Sequence, residues 1–194
     1  MKKNILLISI TSLFLLLISF IFDNEIFNFL VNHRIDFLNP LIVGISYIGS
    51  ELIIFLIGTS LLLFHEHRRK FILPLWISMI LTGLIIIILK LLIARPRPSG
   101  FALMSFSSFS FPSGHSALAF SSLPIIFKTF KKFKWFWFVL AVLIAFSRIY
   151  VGVHYLSDVI AGALIGYLIG VLFLIIIGYN DISYLKRRVS VDSH

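Results

Sequence analysis

The sequence has no cysteine, so disulfides, thiolate metal sites and a cysteine nucleophile are all excluded, while the redox compartment stays open. Charge is scarce as well. Only 13% of the 194 residues are Asp, Glu, Lys or Arg, against 59% hydrophobic, which excludes an ordinary soluble domain of this length. A helix needs roughly 20 apolar residues to cross a hydrocarbon core of about 30 Å, so the length accommodates about six spans and no separate soluble domain. We therefore expect one integral membrane domain over residues 1–194. The formal net charge of +9 does not argue for a nucleic-acid partner, because the basic residues stand in short clusters between apolar runs.

What is present is a series of apolar runs. The first, Asn4 to Phe22, follows Lys2 and Lys3 and has the look of a signal peptide, but no small-residue cleavage site follows it, so a retained helix is expected. Between Asp23 and Pro40, Ile26, Phe27, Leu30, Val31, Ile35 and Leu38 recur at helical spacing opposite Glu25, Asn28, Asn32, Asp36 and Asn39, which predicts a short interfacial amphipathic helix. Further spans are predicted over Leu41–Phe64, Phe71–Ile93, Ser113–Phe127, Trp135–Val151 and Leu156–Gly178. The expected fold is thus an all-α polytopic membrane protein with six transmembrane helices and an interfacial helix between the first two.

The 17 Lys and Arg residues give the topology. They cluster at Lys2 and Lys3, at Arg68 to Lys70, from Lys128 to Lys134 and at Lys186 to Arg188, all on one predicted side, which the positive-inside rule makes cytoplasmic together with both termini. Arg34, Lys90, Arg95, Arg97 and Arg148 fall on or near the other face, where most of them need a separate reason to be. Anion binding supplies one.

Three blocks converge on that extracytoplasmic face. Lys90 lies near the end of a helix that Arg95, Pro96, Arg97 and Pro98 break; by itself this stretch reads as readily as a snorkelling lysine plus a basic loop as it does as an anion site. Pro112, Ser113, Gly114 and His115 open the fourth span, where free amides, close backbone approach at Gly114 and the Ser113 hydroxyl form a phosphate cradle, unless Ser113 is an ordinary cap. His115 on the first turn is suited to proton transfer, a structural histidine being the alternative. Ser147 and Arg148 precede His154 and Asp158, whose i, i+4 spacing lets the carboxylate fix one imidazole nitrogen and leave the other to attack; a plain helix-start acid is the bland reading of Asp158. Cations with two histidines and one aspartate, without thiol or carboxylate cluster, suit in-line phosphoryl transfer through a phosphohistidine with no metal or cofactor.

These residues resemble the three motifs of the type 2 phosphatidic acid phosphatases: Lys90 with Arg97-Pro98, Pro112-Ser113-Gly114-His115, and Ser147-Arg148 with His154 and Asp158. Order and spacing both agree, over a core of about residues 85–165 that with its flanking helices spans about two thirds of the chain. The resemblance implies an all-helical membrane core shared with glucose-6-phosphatases and distantly with vanadium haloperoxidases. It implies that His154 is the nucleophile, Asp158 its orienting partner and His115 the acid that protonates the leaving group. Lys90, Arg97, Arg148, Ser113 and the Gly114 amide would hold the phosphate, and Arg95, outside the fixed positions, is a candidate for a second phosphate or a headgroup.

Other features carry less. Gly162, Gly166 and Gly170 predict a close helix approach, within the molecule rather than between copies. Glu51 within the second span is expected to stabilise the bundle, with contact to the site as the alternative. His65, Glu66 and His67 are expected to be solvated rather than to bind metal. The aromatics between Phe101 and Phe111 either line a lipid entrance or anchor the loop at the interface. The expected substrate is a membrane lipid phosphate such as undecaprenyl pyrophosphate, phosphatidylglycerol phosphate or phosphatidic acid. A lipid phosphotransferase using the same intermediate and a non-enzymatic anion or lipid transporter are the competing readings; oligomeric state is open.

Overall fold

The computed structural model describes the backbone of residues 2–63 and 66–191 and the side chains of residues 10–50, 53, 54, 56–63 and 66–176. Within these residues every regular element is helical: α1 (Lys2–Asn32), α2 (Asn39–Ile48), α3 (Glu51–Leu63), α4 (Glu66–Arg69), α5 (Ile72–Ile93), α6 (Gly114–Thr129), α7 (Lys134–Tyr150) and α8 (Leu156–Val191), with 3₁₀ turns at Asp36–Leu38 and Lys131–Phe133. Among the described residues, four segments are long and apolar enough to cross a bilayer: Ile10–Asn32, Glu66–Ile93, Lys131–Tyr150 and Leu156–Ile176. Their outward faces are greasy. Leu13, Phe14, Leu17 and Ile21 of α1 and Leu84, Ile87, Ile88 and Leu91 of α5 are all exposed, a surface that suits hydrocarbon and not water.

Two expectations are corrected. No separate helix forms over Asp23–Pro40; α1 runs unbroken to Asn32, and Pro40 sits in the first turn of α2. Phe27 and Val31 are buried and Glu25, Asn28 and Asn32 are exposed, but Asp23 lies one turn earlier on the buried stripe and is buried with it. The run Leu41–Phe64 is not one helix, for it breaks after Ile48. Gly49 sits at the break against Ile144 of α7, and a Cβ there would come within 2.4 Å of Ile144 Cγ2. Phe64, His65 and the Glu51 side chain lie outside the described residues; Glu66 and His67 are exposed.

α6 is the axis of the bundle. Most of its residues from Ser116 to Ile126 are buried, with Leu118 and Ile125 packed against Leu62, Phe71, Leu75 and Met79, and Ala119 and Leu123 against Ala141 and Ile144. Buried hydroxyls are satisfied within their own helices: Ser121 Oγ donates to Leu118 O at 2.9 Å and Ser122 Oγ to Ala119 O at 2.8 Å. α8 lies hard against α6 along its glycine stripe. A Cβ on Gly162, Gly166 or Gly170 would stand 2.3, 1.9 or 2.2 Å from the carbonyl oxygens of Ser113, Ala117 and Ser121, so the stripe serves packing inside the molecule.

Candidate active site

α5 and α7 end, and α6 and α8 begin, at one end of the bundle. α5 stops at Ala94, which takes the left-handed conformation (φ 49°) and returns its amide to Lys90 O at 2.9 Å, before Arg95-Pro96-Arg97-Pro98 carries the chain away without helix. The loop that follows is pinned rather than free: Ser110 N donates to Arg95 O at 2.9 Å, Leu103 N to Val151 O at 2.8 Å and Ser113 N to Asp158 O at 2.9 Å. After α7 the chain turns through Gly152 (φ 82°), where a Cβ would meet Arg34 Nη2 at 2.6 Å and Phe101 O at 2.8 Å.

His154 lies just before α8, 2% exposed, with Nδ1 3.3 Å from Asp158 Oδ2 and Nε2 3.2 Å from Arg97 Nη1. Burial first, then the charges of Arg97, Arg148 and Lys90, hold the imidazole well below the usual histidine range, so the ring is neutral. A neutral ring facing a carboxylate at Nδ1 keeps its proton there, and Nε2 is left unprotonated, its lone pair accepting from Arg97 Nη1. Asp158 is wholly buried and does two jobs: Oδ2 also accepts the Tyr155 amide at 2.9 Å, the reach-back of an acid in the third position of a helix to the residue that caps it. One carboxylate thus both faces the imidazole and caps the helix start.

Three cations surround this pair. Arg97 donates to Val153 O at 2.8 Å and to Ser108 O at 2.7 Å, which fixes the guanidinium beside His154. Lys90 Nζ reaches over to the carbonyls of Phe109 and Ser110. Arg148 is fully buried and uses Nη1 on Ser46 Oγ, while its Nε and Nη2 have no hydrogen-bond partner among the described residues. That unpaired edge is the one that grips two oxygens side by side, and an unmade bond of a buried guanidinium is costly unless an anion completes it.

Phe106 joins the remaining parts. Its ring lies 5.0 Å from the Arg97 guanidinium carbon and 4.7 Å from that of Arg148, and stands edge-on to His115 with centroids 6.2 Å apart. Ser113 precedes α6 and is buried, but makes no capping bond; its Oγ accepts from Ser116 Oγ at 3.1 Å. The amides of the first turn, beginning at Gly114, are therefore not covered by the Ser113 side chain.

Arg95 departs from expectation. Its Nη2 is 2.8 Å from Asp23 Oδ2 and its Nη1 2.8 Å from Asp158 Oδ1, so its charge is matched by two carboxylates and it does not present a bare cation to an anion. Sequence reasoning missed Asp23, Ser157, Ser46 and Phe106. Asp23 carried a signal, an acid at the end of a long apolar run, but that signal was absorbed into the amphipathic pattern.

Residues 71–182 match the family profile described as PAP2 superfamily. The chain is 33% identical over 152 residues to an undecaprenyl-diphosphatase of Sulfolobus acidocaldarius, covering 75% of this chain and 73% of that protein. It is 31% identical over 163 residues to phosphatidylglycerophosphatase B of Bacillus subtilis, covering 76% and 78%. A crystal structure of a transmembrane PAP2-type phosphatidylglycerolphosphate phosphatase from Bacillus subtilis superimposes with a TM-score of 0.74 at 28% identity, over 89% of this chain and 96% of that one.

Proposed function

The chain belongs to the PAP2 superfamily, and from that premise we propose that it hydrolyses a phosphate monoester or pyrophosphate carried by a membrane lipid, through a phosphohistidine at His154. The observation that carries this reading is the buried Arg148 guanidinium with its Nε and Nη2 unpaired, in the same site as a neutral His154 whose bare nitrogen faces Arg97. A phosphate bound between Arg97, Arg148 and Lys90 supplies the missing acceptors. It also takes Arg97 Nη1 from His154 Nε2 and frees the lone pair.

In the first step Nε2 attacks the terminal phosphorus as its bond to the lipid oxygen, or in a pyrophosphate to the bridging oxygen, breaks, and His115, as the imidazolium, gives its proton to that departing oxygen. The ring becomes a positively charged phosphohistidine, and Asp158 accepts the Nδ1–H. In the second, His115 takes a proton from water, the water oxygen attacks phosphorus, and the N–P bond breaks to release inorganic phosphate. Ser113 and the Gly114 amide take the oxygens that Arg97, Arg148 and Lys90 leave. No residue in this scheme calls for a metal, so turnover is expected to survive EDTA.

The setting is a bilayer. α2 with α3, and α6, complete six crossings with the four longer segments. The end bearing Arg68 and Lys128–Lys134 faces the cytoplasm, and the site opens on the other side. Undecaprenyl pyrophosphate, phosphatidylglycerol phosphate and phosphatidic acid form the substrate panel. His154→Ala is expected to abolish phosphate release from all of them in liposomes. Release by that variant at the wild-type rate would remove this reading.

A further inference from the structure

α1 brings a second acid to the site that the chemistry above does not use. Asp23 is 3% exposed, and both its oxygens are engaged: Oδ1 accepts the Ser157 amide at 2.8 Å, while Oδ2 accepts Arg95 Nη2 at 2.8 Å and the Ser157 hydroxyl. Arg95 in turn donates through Nη1 to Ser157 Oγ at 2.7 Å and to Asp158 Oδ1 at 2.8 Å, with its guanidinium carbon 4.2 Å over the Tyr155 ring. One turn along α1, the Phe27 ring lies against the same tyrosine at a centroid distance of 5.7 Å. The first turn of α8 is thus clasped from α1 by an acid that caps it in trans and by an arginine that ties the cap to Asp158.

We propose that Asp23 and Arg95 are positioning residues that hold Asp158, and through it the His154 ring, while balancing its charge so that one negative charge faces the ring. The proposal rests on His154 being the nucleophile. Its physical basis is the charge sum. Two carboxylates and one guanidinium leave a single buried negative charge, which the phosphohistidine ring neutralises as it forms. Without Arg95, the two buried carboxylates would lose the cation that bridges them, and one would take a proton. Without the charge of Asp23, Arg95 would belong wholly to Asp158 and draw the carboxylate from the ring. With both charges removed, Asp158 alone again carries one negative charge.

The test is a double-mutant cycle on purified protein, reading kcat and KM for a lipid pyrophosphate and a lipid monophosphate in detergent. Arg95→Met is expected to lower kcat about 100-fold and Asp23→Asn about 10-fold, with KM within about threefold of wild type because the phosphate ligands are untouched. The double variant is expected to be faster than Arg95→Met alone. A double variant no faster than Arg95→Met, or single variants with unchanged kcat, overturns the proposal; so does a loss confined to KM, which would make Arg95 a substrate ligand. Should Arg95→Met fail to fold, Arg95→Lys takes its place: the charge is kept but one amine does not bridge both carboxylates, and a wild-type kcat overturns the proposal. His154→Ala in the same assay separates the two readings. Turnover by that variant removes the nucleophile, whereas its silence beside unaffected Asp23 and Arg95 variants removes only the positioning role.

Discussion

The contact between α6 and α8 sets both halves of the site at once, because α6 opens with Ser113, Gly114 and His115 and α8 is led by His154 and opens with Asp158. Gly166 lies midway along it. A methyl group there would stand 1.9 Å from Ala117 O, 2.7 Å from its carbonyl carbon and 2.9 Å from its Cα, all backbone atoms of a central helix. Ordinary contact begins at 3.4 Å, so the two helices must part by about 1.5 Å at this level. Overpacking of this kind costs about 1–3 kcal/mol where side chains yield, and backbone does not yield as side chains do. A shift of about 1 Å between catalytic groups also costs on the order of 100-fold in rate. Gly166→Ala is therefore expected to lower the thermal midpoint in detergent and to reduce kcat on a lipid phosphate about 100-fold or more. Gly83→Ala in α5, where a Cβ meets nothing within 4 Å, is the control and is expected to be neutral or slightly stabilising. If Gly166→Ala matched Gly83→Ala in both readings, the close α6–α8 contact and its role in aligning the site would be refuted.

Arg148→Lys is expected to lower kcat/KM about 100-fold or more, since one amine does not replace a side-by-side grip on two oxygens; a loss under about threefold would contradict the role given to the unpaired edge. Gly152→Ala, at φ 82° and against Arg34 Nη2 and Phe101 O, is expected to cost about 2 kcal/mol or more in unfolding measurements, with the loop carrying Phe101 displaced. Because burial and then the charges of Arg97, Arg148 and Lys90 hold His154 well below the ordinary value of 6.5, its neutral, attacking form persists as pH falls through 6.5. The acid limb of kcat/KM, corrected for ionisation of the substrate, is accordingly expected below 6.5, and a limb at or above that value would contradict the environment described for the ring.

What was legible in the sequence is what depends on near neighbours. The spacing of His154 and Asp158 is one helical turn, so their contact follows once α8 begins close by, and the glycine stripe at 162, 166 and 170 declares a close approach whatever the partner. α5, α7 and the start of α8 fall within a residue of their expected positions because apolar length and breaking residues decide them. What was not legible depends on distant partners. Asp23 and Arg95 are 72 positions apart, and nothing local to either tells that the arginine stands between two carboxylates. Lacking that, Asp23 reads as the polar start of a surface helix and Arg95 as a spare anion ligand. The break at Gly49 has the same origin, since Ile144 of α7 is what it makes room for. That the Ser113 hydroxyl makes no capping bond and instead accepts from Ser116 Oγ is likewise not legible in the sequence.

The central claim is that the bare Nε2 of His154 takes the phosphoryl group. Purified protein mixed with a lipid phosphate labelled in its terminal phosphate and quenched in alkali is expected to carry label that is stable to base, lost in acid and mapped to His154. The same label is expected to be absent from His154→Ala. Steady turnover of wild type with label on another residue, or His154→Ala that still releases phosphate, would contradict the account.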